Sequence, residues 1–378
     1  MILSLLAAVP AAPPPPPLAL PPPVVTVSGS EISTAVLSFN AGPARCEDGE
    51  ESLEREERPL PVITGASPRT PAPGPLTLRF RIGADGRPLG IAEEPRRPDA
   101  SGPYYNSRDV VAAFAASRFR QGKARGDCTI AYKVTLEPLD QAAPATLYRF
   151  VALQPAPPFQ IRRALFERTV PAGSNCFKDP RLNVRLRAYP AFEEIPQEPG
   201  TLSHSFVGFD LDGSGQPRNI RLLGSGGNPE LDRQSIDAVR RSRFSPIAKQ
   251  GCTYSYWRRQ TEPLKPPPPP PDPVAPRDGP CPNDVGPWAY MPPIGFPPEF
   301  ERRGIEGWAV VRFDIAPWGG VGNVAVVAAE PAAAFGQQAV QIVGAARKAP
   351  SARGYTGCMA RVLFKLPVSG DPAQLLGP

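Results

Sequence analysis

The sequence predicts an α+β protein made of three tandem small domains, each an antiparallel sheet plus one helix in the order strand, strand, helix, strand. Three observations predict it: one order of elements recurs three times, the six cysteines fall one pair per recurrence, and Pro-rich stretches separate the copies. The boundaries expected on this basis are a leader-like segment and Pro-rich linker over 1–23, a divergent first domain over 24–140, a second over 155–262, a linker over 263–277 and a third over 278–370.

The chain opens with Met1 to Ala12 (MILSLLAAVPAA), a short apolar run ending in small residues, as in a secretory signal but without a basic start. Twelve residues form a helix of only ~18 Å, against a hydrocarbon core of ~30 Å. As written, the protein is therefore expected not to span a membrane. The chain has 55 prolines in 378 residues. The runs at Pro13 to Pro23 and Pro266 to Pro271 supply no N–H to a ladder and are read as polyproline-type spacers.

In the first copy, Leu76 to Ile82 alternates as a strand, Ala84-Asp85-Gly86 turns, and a second strand lies near Pro88 to Ile91. A helix is expected from about Ser107 to Phe119 and a last strand over Cys128 to Leu136. The second copy has Ser203 to Leu211, a turn at Asp212-Gly213, Arg218 to Leu223, a helix from about Pro229 to Phe244, and Cys252 to Trp257. The third has Trp308 to Ile315, a turn at Trp318-Gly319-Gly320, Val321 to Ala328, a helix from about Ala333 to Lys348, and Cys358 to Leu366. Gly in the turns supplies the positive φ of a tight hairpin. Asn228-Pro229 reads as an N-cap and first helical position, and Leu231, Ser235, Ile236 and Val239 form the inward stripe. Ser117-Arg118-Phe119 and Ser242-Arg243-Phe244 are one tripeptide. It places a cation in the last helical turn, where the dipole favours it, and an aromatic under the helix.

The cysteine pairs Cys46 and Cys128, Cys176 and Cys252, and Cys281 and Cys358 are separated by 82, 76 and 77 residues. Six cysteines allow fifteen connectivities, of which the repeat selects the one that closes each copy on itself. Zinc or iron–sulfur ligation is the rival use, but there is no CxxC pair and His204 is the single histidine. Disulfides imply an oxidising compartment, hence export. No metal or other cofactor is expected.

A net charge of +6 with scattered basic residues gives no nucleic-acid surface. GxSxG, HExxH and Walker-type loops are absent from the sequence, so no catalytic residue is assigned and the protein is expected not to be an enzyme. Asp210 and Asp212 with the following Gly-Ser-Gly imitate a calcium loop, but Arg221 stands at its twelfth position, and a hairpin turn is the better reading. Gly224 to Gly227 is read as a strand-to-helix loop and His204 as a partly exposed sheet residue. Asp314 and Glu330 would be an acid–base pair only if the fold brought them together.

Glu299 to Gly307 (EFERRGIEG), followed by a valine-rich strand, a glycine turn and a second strand, resembles the TonB C-terminal domain family. The second copy resembles it through Gly224 to Asp232 and Ala238 to Pro246, whereas the first keeps only the element order and Ser-Arg-Phe. The resemblance implies a non-catalytic periplasmic domain whose sheet edge pairs with an extended peptide of an outer-membrane transporter. Another envelope protein or peptidoglycan is the alternative partner, and an enzyme on an unrecognised scaffold the alternative of another class. The last strands are the expected partner-binding edges, through Tyr254, Tyr256 and Trp257 in the second copy and Arg361, Leu363 and Lys365 in the third.

Overall fold

The computed structural model describes residues 33–66, 71, 73–95, 105–154, 159–258, 262–271, 281 and 285–366. The leader-like start and the first Pro-rich run lie outside them. Module one comprises β1 (Ser33–Cys46), β2 (Gly49–Glu51), β3 (Leu53–Arg55), β4 (Val62–Ala66), the hairpin β5 (Leu76–Ile82) and β6 (Pro88–Glu93), α1 (Arg108–Ala116), β7 (Arg118–Phe119) and β8 (Arg125–Pro138). Its sheet has the order β2-β1-β8-β5-β6, with β4 also on β1. Helices α2 (Pro144–Leu153) and α3 (Phe159–Thr169) lead into module two: β9 (Val184–Leu186), β10 (His204–Leu211), β11 (Pro217–Ser225), α4 (Pro229–Arg241), β12 (Arg243–Phe244) and β13 (Lys249–Trp257). Module three repeats this with β14 (Trp288–Tyr290), α5 (Pro298–Arg303), β15 (Gly307–Ile315), β16 (Val321–Glu330), α6 (Ala333–Ala345), β17 (Arg347–Lys348) and β18 (Tyr355–Phe364). Both later modules carry an antiparallel three-stranded sheet, β11-β10-β13 and β16-β15-β18.

The helices stop earlier than their sequence pattern suggests. Ser117 and Ser242 donate their hydroxyls back to Ala113 O (3.2 Å) and Ala238 O (2.9 Å), ending the helical ladder. The same hydroxyls accept the Glu57 and Ala188 amides, so each buried serine stitches its helix end to the chain leading in. Arg118-Phe119 and Arg243-Phe244 thereby become short strands, on β3 and β9, rather than a last helical turn. Phe119 and Phe244 are buried under the helix as expected. In module three Lys348 stands in the aromatic's place, and its ammonium lies 4.3 Å from the Trp288 ring.

The last strands also begin three residues before their cysteines, at Arg125, Lys249 and Tyr355. Among the expected turn glycines, Gly86 and Gly319 have φ of +75° and +83°. In the second hairpin the positive φ falls on Gly215 (+79°) rather than Gly213. Each of these glycines offers its carbonyl to the second residue of the short strand after the helix: Phe119, Phe244 and Lys348 donate to Gly86, Gly215 and Gly319. A Cβ at Gly215 would stand 2.5 Å from two carbonyl oxygens, so conformation and close approach both require glycine. Asn228 caps α4, its Oδ1 accepting the Leu231 amide at 3.0 Å.

Separate small cores exist only in part. Module two has its own, around Val207, Phe209, Leu231, Val239 and Phe244. Modules one and three share one, running from Phe80 and Phe114 to Phe313 and Phe335. The Ile91 amide donates to Pro331 O at 2.9 Å across the seam. Arg81 pairs there with Glu330, which also accepts the Gly90 amide.

The equivalent positions explain why module one diverges. Aligned on Phe80, Phe209 and Phe313, Arg81 replaces Asp210 and Asp314. Those aspartates stay within their own modules, holding Asn219 and the Gly251 amide, and Asn323 and the Gly357 amide. Asp314 and Glu330 thus serve opposite ends of the β15–β16 hairpin and form no acid–base pair. Arg303 of α5 is fully buried, donating to Asp109 at 2.9 and 3.1 Å and to Glu57 at 2.8 Å. The arginine of the sequence's RRGIEG stretch is therefore a bolt between modules. No helix among the described residues is long and apolar enough to cross a membrane.

Candidate strand-accepting edges

All three disulfides join the cysteines of one module: Cys46–Cys128, Cys176–Cys252 and Cys281–Cys358. Each tethers the chain entering a module to the start of its last strand. What the entering chain does before its first cysteine then decides whether the outer edge of that strand is covered.

In module one the entering chain is β1, which runs antiparallel to β8 from Ala35↔Pro138 to Arg45↔Thr129, with a bulge between Ala41 and Ala44 at Gly42-Pro43. Alternation drives the pairing: Leu37 and Phe39 turn into the core while Ser38 and Asn40 face the other way. Module one therefore fills its own edge with a strand of its own chain. In module two the corresponding chain is folded into α2 and α3 and arrives sideways. Only the start of β13 is covered, where Ser174 and Asn175 bond to Gln250 and Gly251. Beyond it, no strand among the described residues pairs with the outer edge of Thr253 to Tyr256. In module three the entering chain includes the run Pro266–Pro271, which lacks the N–H groups that a ladder needs. This run lies against the sheet face instead: Trp308 Nε1 donates to Pro267 O (2.8 Å) and Arg361 Nη1 to Pro270 O (3.0 Å). β18 is an edge of its sheet.

The expected edge residues divide by face. Tyr254 and Tyr256 lie opposite Val207 and Ser205, on the α4 side, with Tyr256 buried and donating to Ala188 O (3.3 Å). Burial pushes the Tyr256 hydroxyl up to about 12, with Arg187 pulling it the other way. Trp257 lies opposite His204 on the face toward α2 and is exposed. Arg361 and Leu363 lie opposite Val310 and Trp308, on the face the proline run crosses. Lys365 stands beyond the end of β18 at Phe364 and is not an edge-strand residue. His204 is buried rather than partly exposed, and burial, with Arg149 nearby, lowers its pKa to about 4.

Sequence reasoning did not find the wall beside β13. Arg187, directly after β9, lies over the Tyr254 ring at 4.5 Å, with Tyr189 and Tyr256 at 5.3 and 5.8 Å. Arg187, Tyr189 and Tyr256, with Phe192, Trp257 and Arg258, line a groove of about 520 Å³ along the strand. The detectable signal was the alternation of Arg185, Arg187 and Tyr189 before a proline.

Residues 189–261 and 292–366 match the family described as Gram-negative bacterial TonB protein C-terminal. Both regions are TonB C-terminal domains. No curated protein matches the chain. The matched regions cover modules two and three from just after β9 and β14, through helix and hairpin, to the end of the last strand. Module one lies outside them but has the same strand–strand–helix–strand core and cysteine bond. The two TonB-type regions are thus the modules whose last strand stands at a sheet edge, and the unmatched module is the one whose edge is filled.

Proposed function

We propose that this protein is a non-catalytic envelope protein of the TonB type, and that modules two and three each take up an extended peptide of a partner by strand addition to β13 and β18. An outer-membrane transporter segment is the partner that the family suggests, and transport across the envelope is the process. The periplasm is the location, since three disulfides need an oxidising compartment to form and persist.

One observation carries the reading. β1 on β8 is a strand added to the same edge of the same small fold, in cis, and it provides both main-chain pairing and alternate side chains for the core. The equivalent edges of modules two and three lack such a strand among the described residues.

The test is hydrogen exchange on the full chain with and without transporter-type peptides. Saturable protection confined to β13 and β18, with β8 protected throughout, is the expected result. Absence of saturable binding up to millimolar peptide overturns the proposal, as does cosedimentation with purified sacculi that peptide does not affect.

A further inference from the structure

The short strand before each sheet places one side chain beside the edge that the partner would join, and this side chain differs among the modules. β3, β9 and β14 pair with the post-helix strands in one register: Leu53, Val184 and Trp288 stand opposite Phe119, Phe244 and Lys348. Three residues further on come Glu56, Arg187 and Met291. In modules one and two the next residue donates its amide to the buried serine of the helix end, which fixes the alignment independently.

Module one indicates where a side chain of the added strand would land. There Ala44 of β1 stands opposite Ile130 and Ala41 opposite Tyr132, both on the α1 side. Counting from the cysteines, Ile130 and Tyr132 correspond to Tyr254 and Tyr256, the rings over which Arg187 lies. An added strand on β13 would therefore direct the side chains opposite Tyr254 and Tyr256 at the guanidinium. Arg187 is exposed and has no carboxylate partner among the described residues. The other charged groups lining the groove are Arg258 and Glu193, so cations outnumber carboxylates there.

The geometry points to Arg187 as a specificity residue: module two takes an extended peptide carrying a carboxylate opposite Tyr254 or Tyr256. A guanidinium already stacked on tyrosine is held in place for a charge-assisted hydrogen bond, so little side-chain entropy is lost on binding. Met291, exposed at the corresponding place in module three, offers no charge and fits an apolar side chain. The two edges then accept different strands. This inference rests on the strand-addition reading above.

The experiment titrates the full chain with acetylated, amidated heptapeptides of alternating Val and Thr whose central residue is Glu, Gln or Lys, and follows hydrogen exchange at Thr253 to Trp257. The Glu peptide is expected to bind this edge about tenfold more tightly than the Gln peptide. Arg187→Met should abolish that ratio and Arg187→Glu should invert it toward the Lys peptide, with the thermal unfolding midpoint held. Equal protection of β13 by all three peptides, or a ratio unchanged in Arg187→Met, overturns the assignment of Arg187 and leaves strand addition standing. Protection of β13 by none of the peptides overturns both.

Discussion

Replacing Arg303 by alanine tests whether this buried arginine is a structural bolt. Its guanidinium is fully buried and holds Asp109 and Glu57, with a further hydrogen bond to Arg58 O at 3.3 Å. After the substitution Asp109 keeps only the Leu60 amide, and Glu57 keeps Arg149 at 3.4 Å and the Leu202 amide. Removing one partner of a buried ion pair costs about 3–5 kcal/mol, because the desolvation of the remaining charge is no longer offset. With about 2–4 °C lost per kcal/mol in a unit of this size, the melting point of the joined modules one and three should fall by roughly 6–20 °C. Urea unfolding followed by tryptophan fluorescence is the assay, since Trp288, Trp308 and Trp318 all belong to module three. The pH dependence separates electrostatics from simple truncation. Burial raises the Asp109 pKa, but Arg303 more than offsets this and holds it below its ordinary 3.8. In the native protein that contribution is therefore present above the ordinary carboxylate range and is lost as the pH falls through the depressed value. In the variant burial is opposed only by the Leu60 amide and the nearby Arg302, so the Asp109 carboxylate loses its largest stabilising partner and the deficit at pH 7 should shrink by about pH 4. A loss under about 1 kcal/mol at pH 7, or an equal loss at both pH values, refutes the ion-pair argument.

Further outcomes follow from the same structure. Replacing Cys176 and Cys252 together by serine opens a loop with a separation of 76 residues and should cost module two about 4 kcal/mol, seen as loss of the near-ultraviolet signal of Tyr254 and Tyr256 at lower urea. His204 stays neutral in the fold down to about pH 4 but protonates near 6.5 when unfolded. Stability should then decline by up to about 3 kcal/mol as the pH falls through that window, and a His204→Gln variant should lack this slope. Gly215→Ala should lower stability by more than about 1 kcal/mol in chemical denaturation, and the same change at Gly213, whose φ is not positive, should cost less.

The repeat was legible in the sequence because its parts are local. Hairpin glycines, an Asn-Pro helix start, period-two strands and evenly spaced cysteines each report a short-range constraint, and together they gave the modules and the disulfide pairing. The family resemblance rested on the stretches Glu299 to Gly307, Gly224 to Asp232 and Ala238 to Pro246. Boundaries failed where a side chain also acted over distance: Ser117 and Ser242 bond back to their own helices, but the same hydroxyls accept amides of Glu57 and Ala188 from chain far upstream, and the residues that follow pair with β3 and β9. The role of Arg303 was hidden for the same reason, since its carboxylate partners lie 246 and 194 residues away in sequence.

The sequence by itself determined three similar sheets, each with a last strand able to take a neighbour. Whether that neighbour is already present was decided only by tertiary structure. A stretch of alternating residues before a cysteine is a strand in either case. That β1 lies on β8, while α2, α3 and the proline run leave β13 and β18 at sheet edges, depends on pairings closed between residues about 80–100 apart. Such pairings leave no periodicity in the sequence.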